Sequence, residues 1–420
     1  MIPKNTLIKE TFIYALSKTV PGIVGLASVI LFIRFTGAEE YGKYSYLLSQ
    51  WNLIVAIGFG WMNQAQLRYY SKDKGTQEYL TSQLKSFTYS SILVLIVFSI
   101  LSLFQSFSFQ LWAISFLSII SIGGFNYLKT LLQAKLEPIN VIWLTISQSI
   151  LALIIPLGLL YLFPQNSITL LLGVGLSFLI VILLIGFKTN KNQFTINQLY
   201  KFHKAGKTLV KKWIAYGVPL SIWFTVGMGL PFLDRFFINL HLQGETLGVY
   251  AGIQELLTRV FSITIFPLTL ALHPRIMTLW NESKKPEAMR IIGWGIGVMM
   301  MVAIILGFAI LAFEKTIFEI IELAIPQANS HYRSLIIPLL LAGFLWQLSF
   351  LSHKMLELNE RTKTMAIFLM VSLLINVVGN SIYIPQMGVQ ATAITALFSA
   401  LVYCGLTGIY SITFIMKAKA

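Results

Sequence analysis

Charged residues are scarce in this sequence, because aspartate, glutamate, lysine and arginine together make up only 11% of its 420 residues. A soluble globular domain carries roughly 25% charged residues. The composition therefore excludes an ordinary water-soluble enzyme or binding domain. Acidic residues are scarcer than basic residues, with 16 Asp and Glu against 31 Lys and Arg.

Cysteine and histidine are also scarce. The single cysteine, Cys404, has no partner in the chain, which excludes an intramolecular disulfide framework. The five histidines are scattered without the spacing of a metal site. HExxH, GxSxG and CxxC motifs do not occur. We therefore expect no metal and no cofactor.

One segment resembles a nucleotide-binding P-loop but lacks one of its required glycines. Gly206-Lys207-Thr208 matches the end of a phosphate-binding P-loop, but Lys201 stands where that loop needs its first glycine. We interpret the segment as a basic linker and expect no ATP hydrolysis.

Apolar sequence is abundant, with 56% hydrophobic residues and a mean hydropathy of +0.75. A membrane span needs about 20 mostly apolar residues, and twelve segments qualify. They are Thr11–Ile33, Gly42–Leu67, Gln83–Phe104, Phe109–Ala134, Asn140–Leu162, Ser167–Phe187, Trp213–Ile238, Leu247–Leu272, Met289–Phe313, Tyr332–His353, Thr364–Ile384 and Gly388–Met416. The sequence predicts an all-α membrane protein with twelve transmembrane helices. A further short helix is expected at the outer interface, over Phe313–Gln327.

The positions of the basic residues predict the orientation. The loops and adjoining span ends on one side, with both termini, hold 24 Lys and Arg, whereas the loops and adjoining span ends on the other side hold five. Under the positive-inside rule, both termini are cytoplasmic. The basic excess reflects this orientation, so we expect no nucleic-acid partner.

A repeat divides the chain into two six-helix halves. Tyr41-Gly42-Lys43-Tyr44 opens the second span and Leu247-Gly248-Val249-Tyr250 opens the eighth. This matched order predicts a parallel repeat, an architecture that transporters use. The expected parts are residues 1–187, a cytoplasmic basic linker over 188–212, and residues 213–420.

Two opposite charges lie within the eighth span. Glu255 and Arg259 are four residues apart, so they share one helix face with the acid N-terminal. A charge at the bilayer centre costs roughly 2.5 to 3.5 kcal/mol on insertion scales. The helix must therefore turn this face toward protein or water. Two interpretations stay open: a functional site, or a self-neutralising pair that locks two helices together.

Other polar residues extend this pattern to neighbouring spans. Lys18 either extends to the cytoplasmic headgroups or faces a central cavity beside Arg259. Asn52 belongs to a polar stripe on the second span, and Asp234-Arg235 lies near the outer end of the seventh. Together they predict a hydrated, slightly positive cavity between the halves. Such a cavity favours an anionic headgroup, and arginine suits phosphate through its planar fork of donors.

These residues carry a resemblance to a known family. Arg34-Phe35-Thr36-Gly37, leading into the Tyr41 motif and then Arg68-Tyr69-Tyr70, is similar to the opening of Wzx-type polysaccharide (O-antigen) flippases. Leu233-Asp234-Arg235 before the Leu247 motif, and the stretch from Ile384 to Thr392, resemble later parts of the same family. Val389-Gln390-Ala391 departs from the Gly-Ala-Ala that often follows the closing glycine there.

The resemblance implies the two-lobed fold of the multidrug/oligosaccharidyl-lipid/polysaccharide exporter superfamily. It also implies movement of undecaprenyl-diphosphate-linked oligosaccharide from the cytoplasmic to the outer leaflet of the bacterial inner membrane, for O-antigen, lipopolysaccharide or capsule biosynthesis. In related lipid-precursor flippases, basic residues on the first and eighth helices line the cavity, and Lys18 and Arg259 stand at comparable places. The polysaccharide polymerase machinery is the expected partner.

On this interpretation the substrate-binding residues are Lys18, Arg259, Arg235, Arg34 and Asn52. The candidates for coupling to a proton gradient, a sodium gradient or the membrane potential are Glu255 and Asp234. Two other functions stay open. A multidrug/cation antiporter of the same superfamily would need an acidic cavity, and a membrane oligosaccharide polymerase or ligase would need a large outer loop.

Overall fold

The computed structural model describes the backbone over residues 4–73, 77–189, 207–242 and 244–419. Within these ranges the chain is α-helical, without β-strands, which confirms the predicted fold class. In chain order the helices are α1 Lys4–Asp73, α2 Gln77–Phe104, α3 Phe109–Ala134, α4 Pro138–Leu162, α5 Ser167–Thr189, α6 Lys207–His241, α7 Gly244–Thr264, α8 Phe266–Asn281, α9 Lys285–Ala324, α10 Ile336–Ser352, α11 Lys354–Leu358, α12 Thr362–Met387 and α13 Val389–Lys419. A short 3₁₀ helix, Ser330–Leu335, precedes α10.

The number of spans agrees with the sequence. In the described part of the chain, ten helical segments are long and apolar enough to cross a bilayer, and the bent pair of α7 and α8 forms an eleventh. The apolar part of α1 covers Thr19–Tyr70, 52 residues, or about 78 Å at 1.5 Å per residue. That length exceeds twice the hydrocarbon thickness of about 30 Å. Helix α1 therefore holds both the first and the second predicted spans, which brings the total to twelve, and the chain is a multi-pass membrane protein.

Glycine and proline mark the breaks between and within spans. Gly37 interrupts α1 with φ 81° and ψ 163°, a backbone conformation that residues with a side chain rarely adopt. Pro267 lies in the first turn of α8, where its missing N–H does no harm. A proline at this position cannot continue the hydrogen-bond pattern of α7. The eighth predicted span is therefore not straight but bends by 46°.

Helix α9 extends beyond its apolar part. Its backbone leaves helical geometry at Phe313 and is helical again as far as Ala324. Phe318 and Ile321 are buried on one side of this extension, while Ile320 and Leu323 are exposed. The expected helix over Phe313–Gln327 is thus confirmed as helix as far as Ala324.

The chain packs as two compact units, one of residues 1–45 with 233–420 and the other of residues 46–232. In the second unit α3 and α4 both pack on α5, around Phe125, Leu132 and Val181. In the first unit α13 packs on both α10 and α12. Ala342 and Ala396 lie in its core, and small residues let membrane helices approach closely.

The two glycines of the sequence repeat meet in the folded chain. A β-carbon on Gly42 would lie 2.7 Å from the backbone nitrogen of Gly248, and one on Gly248 would lie 1.6 Å from the carbonyl oxygen of Ala38. Neither position has room for a side chain, which explains glycine in both motifs. The division of the chain at the linker stays a prediction, because residues 190–206 of that linker lie outside the described part.

Candidate functional site

Glu255 lies between two arginines within the unit formed by residues 1–45 and 233–420. Arg259 Nη2 is 3.1 Å from Glu255 Oε2, as the spacing of four residues along α7 predicts. Arg235 Nη2, from α6, is 3.3 Å from Glu255 Oε1. One carboxylate therefore holds a guanidinium on each of its oxygens. The side chains of Glu255 and Arg259 are 33% and 28% exposed, whereas that of Arg235 is only 5% exposed.

Glycine on the first helix makes room for one of these arginines. A β-carbon at Gly25 would lie 2.0 Å from Arg259 Nη1 and 2.4 Å from Arg259 Cζ. The guanidinium thus occupies the space that a side chain at position 25 would fill. Lys18 is seven residues, or about two helical turns, before Gly25 and so shares its face. The Lys18 side chain lies outside the described residues, and its role stays a prediction.

Asp234 forms a second anionic centre next to Arg235, and it is only 3% exposed. Asn376 and Asn380 of α12 donate from Nδ2 to Asp234 Oδ1, over 2.9 and 3.1 Å. The Tyr250 hydroxyl and Gln254 Nε2 of α7 donate to Oδ2, over 3.2 and 3.3 Å. Four neutral donors satisfy this buried carboxylate, as a charge in a low-dielectric interior requires.

The charges at this site cancel among the residues that the structure describes. Asp234 and Glu255 carry the negative charge, and Arg235 and Arg259 carry the positive charge. The buried phenol of Tyr41, from the repeat motif, lies within electrostatic range of Glu255 and both arginines. The net positive charge that the sequence predicts depends on Lys18, whose side chain lies outside the described residues.

Two other predicted site residues make different contacts. Arg34 Nη2 donates to the carbonyl oxygen of Leu323, over 2.5 Å, at the end of the α9 extension. This contact ties the first span to that extension, as basic side chains do at helix C-termini. Asn52 donates to the Leu48 carbonyl of its own helix, over 3.0 Å, and is exposed in the other unit. Their roles in binding stay predictions.

Sequence reasoning missed how the polar residues of the last spans converge. Asn376 and Asn380 are four residues apart, as are Tyr250 and Gln254, so each pair lies on one helix face. Both pairs point to Asp234. The available signal was the repeated spacing of amide and phenol side chains within apolar segments, but the partner depends on how the helices pack.

A separate polar cluster joins α8 to α11. The Lys354 side chain is 4% exposed, and its Nζ lies 2.8 Å from His273 Nδ1 and 2.5 Å from Glu357 Oε2. The neighbouring His353 is buried, and its Nδ1 is 3.1 Å from the Tyr403 hydroxyl of α13. In the sequence, Glu357 and Glu360 are typical of a solvated surface, whereas in the structure Glu357 forms an ion pair with a buried lysine. The sequence does not predict this ion pair, because the pair depends on the burial of the Lys354 side chain.

The fold is similar to that of known transporters. A multidrug resistance MATE family transporter of the MOP superfamily, in an inward-facing conformation, aligns with a TM-score of 0.69 at 14% identity, over 97% of this chain and 95% of that chain. A MATE crystal structure in the bent conformation gives 0.65 at 14% identity, over 100% and 97%. An outward-facing MATE transporter of the MOP superfamily gives 0.61 at 13% identity, over 96% of each chain. At these identities the likeness shows a shared fold.

Sequence comparison identifies the family. Comparison with curated proteins gives no match. A family model described as "Polysaccharide biosynthesis protein" matches residues 7–280, which is well over half of the chain. Together with the MATE-like fold, this match confirms the expected resemblance and is consistent with a Wzx-type protein. The chain belongs to the polysaccharide biosynthesis protein family.

Proposed function

We propose that this protein is a flippase that translocates undecaprenyl-diphosphate-linked oligosaccharide repeat units from the cytoplasmic to the outer leaflet. The units would serve polysaccharide biosynthesis, as O-antigen or capsule. Family membership supports a role in polysaccharide biosynthesis. The MATE-like fold supports a transporter that works by alternating access. On this proposal the protein moves its substrate and is not an enzyme.

The observation that carries the proposal is the pair of arginines on one carboxylate within apolar helices. Arg235 and Arg259 each place a guanidinium within 3.3 Å of Glu255. Charges at membrane depth are costly and generally mark substrate or ion pathways. Guanidinium groups match the oxygens of phosphate in geometry and charge. A diphosphate headgroup is the substrate feature that such a pair suits.

The proposed roles follow the expected depth of the site residues in the membrane. Arg259 and Lys18 receive the diphosphate, and Arg235 and Arg34 guide it toward the outer exit. The polar stripe that includes Asn52 contacts the sugars, while the lipid tail remains in the bilayer.

The charge of the diphosphate determines how the membrane potential acts on translocation. Moving one elementary charge across 100 mV is worth about 2.3 kcal/mol, so an inside-negative potential favours outward movement of a diphosphate. A proton or sodium gradient is the other energy source in the proposal. Asp234 and Glu255 are then the coupling candidates, because a carboxylate can bind a proton or a cation. The proposal requires no cofactor.

The proposed location is the bacterial inner membrane, with both termini in the cytoplasm. One side has 24 basic residues in its loops, adjoining span ends and termini, and the other side has five, which supports this orientation. The polysaccharide polymerase machinery is the proposed partner, because it consumes the translocated units.

Gene deletion tests the proposal against its rivals. We expect lipid-linked oligosaccharide to accumulate on the cytoplasmic leaflet and surface polymer to disappear. Single unpolymerised units at the outer face would instead indicate a polymerase or ligase. Normal polymer with increased drug sensitivity would indicate a multidrug antiporter.

A further inference from the structure

The two carboxylates of the site are held in different ways. Asp234 is 3% exposed and accepts hydrogen bonds from four neutral groups. Glu255 is 33% exposed, and among the described residues its carboxylate contacts the two arginines alone. Asp234 is therefore fixed on all sides. Among the described residues, Glu255 is held by guanidinium groups, which another anion could also bind.

The geometry of the Glu255 contacts resembles that of a bound ligand. Each carboxylate oxygen contacts one guanidinium, so the carboxylate bridges Arg235 and Arg259. A diphosphate also presents oxygens on two sides, with more negative charge than a carboxylate. Because guanidinium groups bind carboxylate and phosphate through the same donors, the two anions would compete for one place.

The exposure of the three side chains allows such an exchange. Arg235 is nearly buried at 5% exposed, so its guanidinium is fixed in the protein. Glu255 and Arg259 are about one-third exposed and lie one helical turn apart on α7. A glutamate side chain has several rotamers, so the carboxylate can leave the arginines without unfolding its helix.

We propose that Glu255 is an internal anion that occupies the arginine pair when no substrate is bound and that the substrate diphosphate displaces. This inference rests on the proposed flippase function and adds a mechanism of release. In the empty carrier, Glu255 offsets positive charge of Arg235 and Arg259 at membrane depth. After translocation, the returning carboxylate competes with the diphosphate and speeds its departure.

The test compares Glu255→Gln with the unmodified full-length protein in lipid nanodiscs. The probe is undecaprenyl diphosphate, and undecaprenol is the control ligand without charge. Removing the competing carboxylate should tighten binding of undecaprenyl diphosphate by about tenfold, or about 1.4 kcal/mol. Binding of undecaprenol should not change. Translocation by the same variant should become slower, because release loses its competitor.

Glu314→Gln is the matched control. Glu314 also forms an ion pair with an arginine, at 2.9 Å from Arg333 Nε, but it lies on the α9 extension. This variant should bind the probe as the unmodified protein does. If Glu255→Gln does not fold, Glu255→Asp serves instead, because it keeps the charge and withdraws the carboxylate by one methylene. Its affinity for the diphosphate should rise by a smaller factor.

The outcomes separate this inference from the proposed function. If the unmodified protein binds undecaprenyl diphosphate but Glu255→Gln binds it equally or more weakly, the carboxylate positions the arginines and the displacement mechanism is wrong. If the unmodified protein does not distinguish undecaprenyl diphosphate from undecaprenol, the diphosphate substrate is wrong and the inference falls with it.

Discussion

Asn376 donates from Nδ2 to Asp234 Oδ1 over 2.9 Å, although 142 residues separate the two in the chain. The contact joins α12 to α6 in the membrane-spanning part of the protein. Asp234 precedes Arg235, which holds Glu255. The network around Asp234 therefore anchors the part of α6 that carries Arg235, and its integrity can be tested.

Asp234→Asn should destabilise the protein, although the new side chain has nearly the same size as the old one. The substitution removes the charge that four donors surround and leaves Arg235 with one counter-charge fewer. Breaking a buried charge network of this kind costs about 3 to 5 kcal/mol, so the temperature of unfolding in detergent should fall by several degrees. Glu245→Gln, an exposed substitution in the first turn of α7, is the control. An unchanged unfolding temperature for Asp234→Asn would show that the network contributes little.

Arg259→Ala should abolish polymer export at normal protein abundance, because the more accessible arginine of the pair is lost. Arg259→Lys should retain part of the activity, since lysine keeps the charge but lacks the planar fork of donors. Surface polysaccharide in a deletion strain that expresses each variant measures the effect. Arg290→Ala changes an exposed arginine on α9 and should export normally. Normal export by Arg259→Ala would exclude Arg259 from the binding site.

Gly25→Leu should impair export by displacing the Arg259 guanidinium. A β-carbon at position 25 would lie 2.0 Å from Arg259 Nη1, so the arginine must move away from Glu255. Gly297→Leu is the matched control, because a β-carbon there meets no described atom within 4 Å. We expect loss of surface polymer for Gly25→Leu at normal abundance and no loss for Gly297→Leu. Equal export by both variants would mean that the position of the guanidinium is unimportant.

The Lys354 cluster offers a test of a different part of the fold. Lys354→Met leaves Glu357 and His273 without their buried cation, which should destabilise the protein by roughly 1 to 3 kcal/mol. The double variant Lys354→Met, Glu357→Gln should recover part of that loss, because no unpaired carboxylate remains. Thermal unfolding of the single and double variants gives the coupling. Additive losses would show that the two residues act independently.

The sequence predicts those features that depend on local spacing. The apolar segments, the break near Gly37 and the contact between Glu255 and Arg259 follow from helix geometry and from the cost of charge in a bilayer. Even the bend of the eighth span had a visible signal in Pro267. These features require no knowledge of how one helix packs on another.

Contacts between distant helices could not be predicted in the same way. Arg235 and Asn376 reach their partners because α6, α7 and α12 pack together. The spacing of residues along one sequence does not show which helices pack together. Arg34 illustrates the same limit. It fits a substrate site by its charge, yet its described hydrogen bond is to the Leu323 carbonyl.

Reconstitution tests the central claim most directly. The purified protein in liposomes is given undecaprenyl-diphosphate-linked oligosaccharide in one leaflet, and the fraction that reaches the other leaflet is measured over time. The account predicts rapid movement compared with protein-free liposomes, and much slower movement with Arg259→Ala. Equal movement with and without the protein, or conversion of the probe to longer oligosaccharides, would contradict it.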